Sequence, residues 1–202
     1  MMRGRIIRGE LKPDARLTEL EVAGKFGTSQ GPVREALQML EQEGLLERRA
    51  GRTMHVTAVS AREVHEYSRI RSTIEAIAIA RTSERITDDE LIVLDELVEA
   101  MYRAGEQDDL NTMVGYDMEF HRLICQWSGS PVLVGSWMPL YSQIQRFILQ
   151  THHQYFADLT DLASTHRPIL EALQKKDSDQ ASLLIKEHIE LIWNWLNGGD
   201  AN

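Results

Sequence analysis

The chain has 202 residues, 43% of them hydrophobic and 26% charged, a length and balance that fit one or two folded modules and exclude a disordered or fibrous chain. No apolar run approaches the ~18 residues of a membrane span, and the opening MMRGRIIRGELKP has no signal-peptide hydrophobic stretch, so no membrane partner and a cytoplasmic location are expected. The net charge of −9 is uneven, +2 over residues 1–60 and −11 over 61–202, as in a pair of modules of which only the first tolerates polyanions.

In chain order, Thr18 followed by Glu21 is a capping-box pattern that opens a helix running to Phe26 and stopping at Gly27. Ser29 is the N-cap of a second helix, Pro32 fits its first turn, and Val33, Ala36, Leu37 and Leu40 form an apolar stripe ended by Gly44. Two helices across so short a turn make a helix-turn-helix. LLERR and MHVT then flank a turn at Ala50, Gly51 and Arg52, a hairpin that serves as the wing.

Burial of that stripe leaves Ser29, Gln30, Arg34 and Gln38 on the free side of the second helix, where Arg34 can pair bidentately with guanine in a major groove. Arg48, Arg49 and Arg52 on the hairpin are placed for backbone phosphates or a minor groove. Double-stranded DNA is the expected partner.

The texture changes near VTAVSARE (56–63), which sets the expected boundary between a winged helix-turn-helix over 1–60 and an all-α bundle of about six helices over 61–202. Apolar spacing in the second part is helical, including Val64, Tyr67, Ile70, Ile74 and Ile77 on its first helix. Thr87, Gly129 and the DSDQ turn at 177–180 mark helix ends, and Cys125 reads as a reduced core thiol. The adjacent His152 and His153 read as surface residues.

Four ionisable residues lie on apolar seams. Asp117 and His121 are one helical turn apart, His188 lines up with Ala181 and Leu184, and His166 falls in the first turn of another helix with Thr165 or Ser164 as cap. One carboxylate and three imidazoles turned inward need a common partner, and a divalent metal is the simplest, zinc first, with nickel, manganese or iron also suited. Separately hydrogen-bonded core histidines remain the alternative at this point.

The run TSQGPVREALQMLEQEGLL (28–46) resembles the recognition segment of GntR-family transcription regulators, and IRGELKP (7–13) and LTE (17–19) resemble other parts of that family's winged-helix domain. It departs from the family pattern at Gln30, where Arg is usual, at Thr53, where a wing Gly is usual, and at Asp14, where Gly usually follows Pro. Gln30 shifts the expected base from guanine toward adenine. Residues 61–202 resemble the FCD ligand-binding domain of the family's FadR-like branch: DMEFH, THRPIL and KEHI supply the Asp-x-x-x-His, His and His of its metal pattern as Asp117, His121, His166 and His188. The resemblance implies a bound metal that coordinates a small carboxylate effector.

Arg71 in RSTIE is the candidate effector contact, with an ordinary surface Arg71–Glu75 pair as the alternative, and Tyr141, Gln145 and Arg146 are further pocket candidates by helix phase. The expected function is a homodimeric, effector-responsive regulator, a repressor on an inverted-repeat operator, and not an enzyme. A metal-dependent hydrolase or lyase and a DNA-binding protein with a purely structural metal are the competing readings.

Overall fold

The computed structural model describes residues 2–49, 53–58, 60–151 and 158–198. The wing turn with Arg52, and His152 and His153, lie outside them. The chain opens with α1 (Met2–Ile7), β1 (Arg16–Leu17), α2 (Glu19–Phe26), α3 (Gln30–Gln42), β2 (Leu46–Arg49) and β3 (Thr53–Val56). The Thr18 hydroxyl accepts from the Glu21 amide, and Gly27 closes α2 in the left-handed region at φ 63°. Ser29 stands at the N-cap of α3 but makes no side-chain capping bond.

Val33, Leu37 and Leu40 bury the inner face of α3 against Val22, Ala23, Leu46 and Met54. Ala36, expected on that stripe, is exposed. The 33-37-40 row already spans the contact, and position 36 falls one side of it. The hairpin forms as expected, Arg49 opposite Thr53 and Leu46 opposite Val56. The sheet gains a third strand, in the order β1-β3-β2, with Arg16 opposite His55. A two-residue strand leaves no periodic signal. It is set by the turn at Asp14, whose φ of 65° brings its amide onto the Val56 carbonyl at 2.9 Å.

The second part holds α4 (Ala61–Arg85), α5 (Asp88–Glu106), α6 (Leu110–Trp127), α7 (Pro131–Thr151), α8 (Leu159–Ser164), α9 (Arg167–Gln174) and α10 (Ser178–Gly198). Among the described residues this part holds seven helices, where about six are expected. Pro168 lies in the first turn of α9 and has no amide to continue the α8 ladder, so the chain breaks between Ser164 and Arg167. Reciprocal capping boxes fix the starts of α4 (Ser60 with Glu63) and α5 (Thr87 with Glu90).

The face of α4 differs from the apolar reading. Ile70 and Ile77 are 50% and 51% exposed, whereas Arg71, Ser72, Glu75, Thr82 and Ser83 are buried. The helix packs along α10 on one side and against α6 and α7 on the other. Arg71 and Glu75 pair with each other, Thr82 donates to the Ile124 carbonyl of α6 and Ser72 to Glu190 of α10, whereas the Ser83 hydroxyl is buried without a hydrogen-bond partner. Cys125 is buried, and burial pushes its thiol well above the ordinary range. No described helix is long and apolar enough to cross a membrane.

Candidate metal centre and DNA-reading face

Three stretches of the bundle converge on one point. The helical repeat stacks Asp117 and His121 on the inner face of α6, His166 immediately precedes α9, and His188 projects from α10. His166 is itself the N-cap residue of α9, not a first-turn residue capped by Thr165 or Ser164. Arg167, the next residue, pairs with Asp95 and Glu99 of α5 and so anchors that helix start. Asp117, His121 and His166 are 3%, 0% and 0% exposed and His188 is 9% exposed.

One potential ligand atom from each of the four residues lies within 4.8 Å of the others. His121 Nε2 and His188 Nε2 are 3.1 Å apart, His166 Nε2 and Asp117 Oδ1 are 3.1 Å apart, and His121 Nε2 and Asp117 Oδ1 are 3.8 Å apart. Ligands held ~2.1 Å from one ion stand ~3.0–3.4 Å from their neighbours at right-angle or tetrahedral geometry.

The hydrogen bonds behind the rings define the tautomers. His121 Nδ1 meets a Glu75 carboxylate oxygen at 2.5 Å, which can only accept. His166 Nδ1 meets the Leu162 and Ala163 carbonyls, each at 3.3 Å. The Thr165 hydroxyl gives its proton to the Leu162 carbonyl at 2.6 Å, so His188 Nδ1, 2.9 Å away, must donate to it. All three imidazoles therefore carry the proton on Nδ1 and aim a bare Nε2 lone pair inward. Two lone pairs facing each other at 3.1 Å repel unless a Lewis acid lies between them. Asp117 Oδ2 and His166 Nε2 are buried without any hydrogen-bond partner. The donor set fits a divalent metal.

Charge supports the same geometry. Burial alone would raise the Asp117 carboxyl, but the positive surroundings that include the Arg71 guanidinium hold it far below the usual carboxylate range. Burial lowers His121 despite the opposing pull of Glu75, and lowers His188 strongly with help from its two neighbouring imidazoles. Phe120 meets the His121 and His166 rings edge-on, at centroid distances of 5.6 and 5.0 Å, and excludes water from that side.

Glu75, read from sequence only as a surface partner for Arg71, is the support of the group. It is fully buried, and its Oε1 accepts from Arg71 Nε and Trp137 Nε1, each at 2.6 Å, while Oε2 takes the His121 proton. Burial pushes its carboxyl up, but Arg71 and His121 outweigh that and hold it at about 2. The Arg71–Glu75 pair is thus a buried one, and Arg71 Nη2 is left without a hydrogen-bond partner beside a cleft of about 20 Å³ lined by Val64, Tyr67, Phe147 and Ile189. Trp137 escaped sequence reading, and so did the roles of Glu75 and Thr165 behind His121 and His188, because each acts through a contact distant in the chain.

Of the remaining candidates, Tyr141 packs edge-on against Trp137 at 5.5 Å and lies under the Arg3 guanidinium, and Gln145 is half-buried on the same helix. Arg146 is turned away from the metal group. It is fully buried and donates to the Thr57 hydroxyl at 2.9 Å and to the Thr57 carbonyl. Helix phase placed it inward without showing that the inner neighbour at that level is the end of the sheet.

Ser29, Gln30, Arg34 and Gln38 all face solvent on α3, and Arg48 and Arg49 on β2 do likewise. The arginines are not bare: Arg34 is bidentate with Glu19 at 2.8 and 2.7 Å, Arg48 with Glu41 at 3.2 and 2.8 Å, and Arg49 bridges Asp14 and Glu47. Exposed pairs of this kind are weak enough to exchange for phosphate or base.

A winged helix-turn-helix on a helical bundle with an internal polar centre defines a DNA-binding regulator with a second, helical domain. The chain belongs to the GntR family: residues 1–56 match the bacterial regulatory proteins of the gntR family, and residues 66–191 match the FCD domain. The McbR regulator of Escherichia coli is 30% identical over 175 residues, 85% of this chain and 78% of that protein. The E. coli repressor RspR is 27% identical over 192 residues, covering 95% and 84% of the two chains. The solved structure of E. coli McbR/YncC superposes with a TM-score of 0.84 over 98% of this chain and 95% of that one, at 25% identity. The gluconate operon repressor of Bacillus licheniformis is 25% identical over 88% of this chain and 74% of its own length. The protein is a transcriptional regulator of this family, and its relatives are regulators, not enzymes.

Proposed function

We propose that the protein is a cytoplasmic, homodimeric repressor whose 61–202 domain holds one divalent metal and senses a small organic acid, and whose 1–60 domain reads an inverted-repeat operator. The observation that carries the reading is the convergence of three Nδ1-protonated imidazoles and Asp117 on one point. Asp117, His121, His166 and His188 would hold the ion, zinc before nickel, manganese or iron. When bound, the metal supplies a Lewis-acid anchor for a carboxylate oxygen.

Arg71 is the cationic contact for the same acid, since its Nη2 is buried and unpartnered; Tyr141 and Gln145 of α7 are further candidate contacts, although the α7 residues that line the cleft beside Arg71 are Gln143, Ile144, Phe147 and Ile148. A cleft of about 20 Å³ has room for no more than about one water, so the acid would enter as the helices around Arg71 part. That coupling of occupancy to bundle geometry favours a sensory metal over a purely structural one. A relative named for a gluconate operon supports an acid as the effector class.

Each half of an inverted repeat requires its own recognition helix, which is the reason for a dimer. Ser29, Gln30, Arg34 and Gln38 would meet base edges, and Arg48, Arg49 and Arg52 the backbone. The test is metal content of the purified protein, followed by operator titration with sugar acids, dicarboxylates and hydroxy acids with and without chelator. Protein without metal, or acids that bind yet never change operator affinity, would overturn the reading.

A further inference from the structure

The two modules are joined chiefly along α7. Its outward residues hold the DNA-reading unit at the end of the recognition helix. Ser142 Oγ donates to Glu43 Oε2 at 2.7 Å and accepts from Arg3 of α1 at 2.6 Å, while Gln143 Nε2 donates to the Glu43 carbonyl at 2.8 Å. Arg146 takes the hydroxyl and carbonyl of Thr57, just after β3, and the Thr57 hydroxyl in turn donates to the Gly44 carbonyl at 2.7 Å. Recognition helix and wing are thereby clasped at one place.

The same helix reaches the polar centre. Trp137, fully buried, donates its indole N–H to Glu75, whose other oxygen holds the metal-site residue His121. From Trp137 to Ser142 is about one and a half helical turns. Between them stands Pro139, which cannot supply the amide bond to the Gly135 carbonyl. Kinks concentrate at such breaks in the ladder.

We propose that α7 is the element through which the buried centre and the DNA-reading module sense each other. Trp137, Ser142, Gln143 and Arg146 are its positioning residues, and Pro139 is the articulation between the first and the other three. A shift of Glu75, which Arg71, His121 and Trp137 share, moves the Trp137 end. The Ser142–Arg146 end swings about Pro139 and re-aims α3 and the wing together. Its physiological use rests on the metal and acid reading above, but the mechanical link does not.

Amide hydrogen exchange on the full-length protein tests the link directly. The reporters are the Gly44, Leu45 and Thr57 amides, bonded to the Glu41, Leu40 and Leu45 carbonyls. Trp137→Phe keeps an aromatic ring and removes the N–H to Glu75. It should raise exchange at these reporters by about fivefold or more, within the usual range of coupling between sites, although the substituted side chain touches none of them. Pro139→Ala completes the α7 ladder, so unfolding cannot explain its effect. With zinc alone as probe, Pro139→Ala should bind the ion as wild type does, and at saturating zinc both Pro139→Ala and Trp137→Phe should lose at least half of the zinc-induced change in operator affinity. Unchanged reporter exchange in Trp137→Phe overturns the proposal whether or not zinc binds. Wild-type protein that takes up no zinc, with reporters that still respond to Trp137→Phe, sinks the metal reading and leaves the link standing.

Discussion

The Thr165 hydroxyl accepts the His188 Nδ1 proton at 2.9 Å while giving its own proton to the Leu162 carbonyl at 2.6 Å. This one side chain fixes both the tautomer of His188 and the turn that presents His166. Thr165→Val keeps the shape and removes the acceptor, leaving His188 free to protonate either nitrogen. Zinc affinity should fall about 10- to 100-fold, the usual cost of losing a partner behind a metal ligand, with a far smaller change in the unfolding midpoint of the metal-free protein. Competition titration with a chromophoric chelator measures it.

The buried imidazoles also set a pH response. His188 lies well below its ordinary value, chiefly through burial, and His121 is lowered by burial too. Below pH ~6.5 the unfolded chain takes up protons on these groups that the folded chain refuses, so metal-free stability falls as pH drops from 7 to 5.5. The carboxylates do not confuse this window, because Glu75, at about 2, and Asp117 are depressed and lose their contributions only below pH ~4.5. Since burial lowers both His121 and His188, zinc uptake at pH 7 should release less than about one proton per chain from these two rings. Urea unfolding across pH, and calorimetry in buffers of different ionisation enthalpy, give the two readouts.

In the proposed reading, Arg34 would have to leave Glu19 to reach DNA. Glu19→Gln should therefore tighten operator binding modestly, about two- to fivefold, as expected for release of one exposed ion pair. Arg34→Ala should weaken it roughly tenfold or more per half-site and relax one base position. Anisotropy titrations at fixed salt, on the operator and on a scrambled duplex, separate the two effects.

Gly44 has φ +71°, and a Cβ there would lie 2.9 Å from Gln143 Nε2. Gly44→Ala should cost about 1–2 kcal/mol from the left-handed backbone alone, with a steric addition that Gln143→Ala removes. A double-mutant cycle in urea checks the addition, and equal costs in both backgrounds would show that Gln143 simply swings aside.

Much of the reading module was legible because its signals are local. Thr18 with Glu21, Gly27 and Gly44 each act within one helical turn, so spacing alone located α2 and α3. Asp117 and His121 were legible for the same reason. Glu75 was not, since its partners His121 and Trp137 lie 46 and 62 residues away, and no window on α4 shows them. The phase of α4 misled because apolar periodicity assumes that polar side chains face water, and here an ion pair and several hydroxyls turn inward while Ile70 and Ile77 turn out. The pairing of Arg34 with Glu19 was hidden by a separation of 15 residues across two helices.

That pairing bears on how the protein finds its target among other sequences. Among the described residues, the reading arginines Arg34, Arg48 and Arg49 are matched by Glu19, Glu41, Asp14 and Glu47, so they present less uncompensated positive charge to bulk DNA, and fewer counterions would be released there on casual contact. Loose association with random duplex is therefore shallow. A site that presents the right base edges returns enough hydrogen bonding to open the internal pairs, and one that does not leaves them closed. Discrimination thus comes partly from reluctance, with the carboxylates acting as a threshold that only the cognate sequence clears.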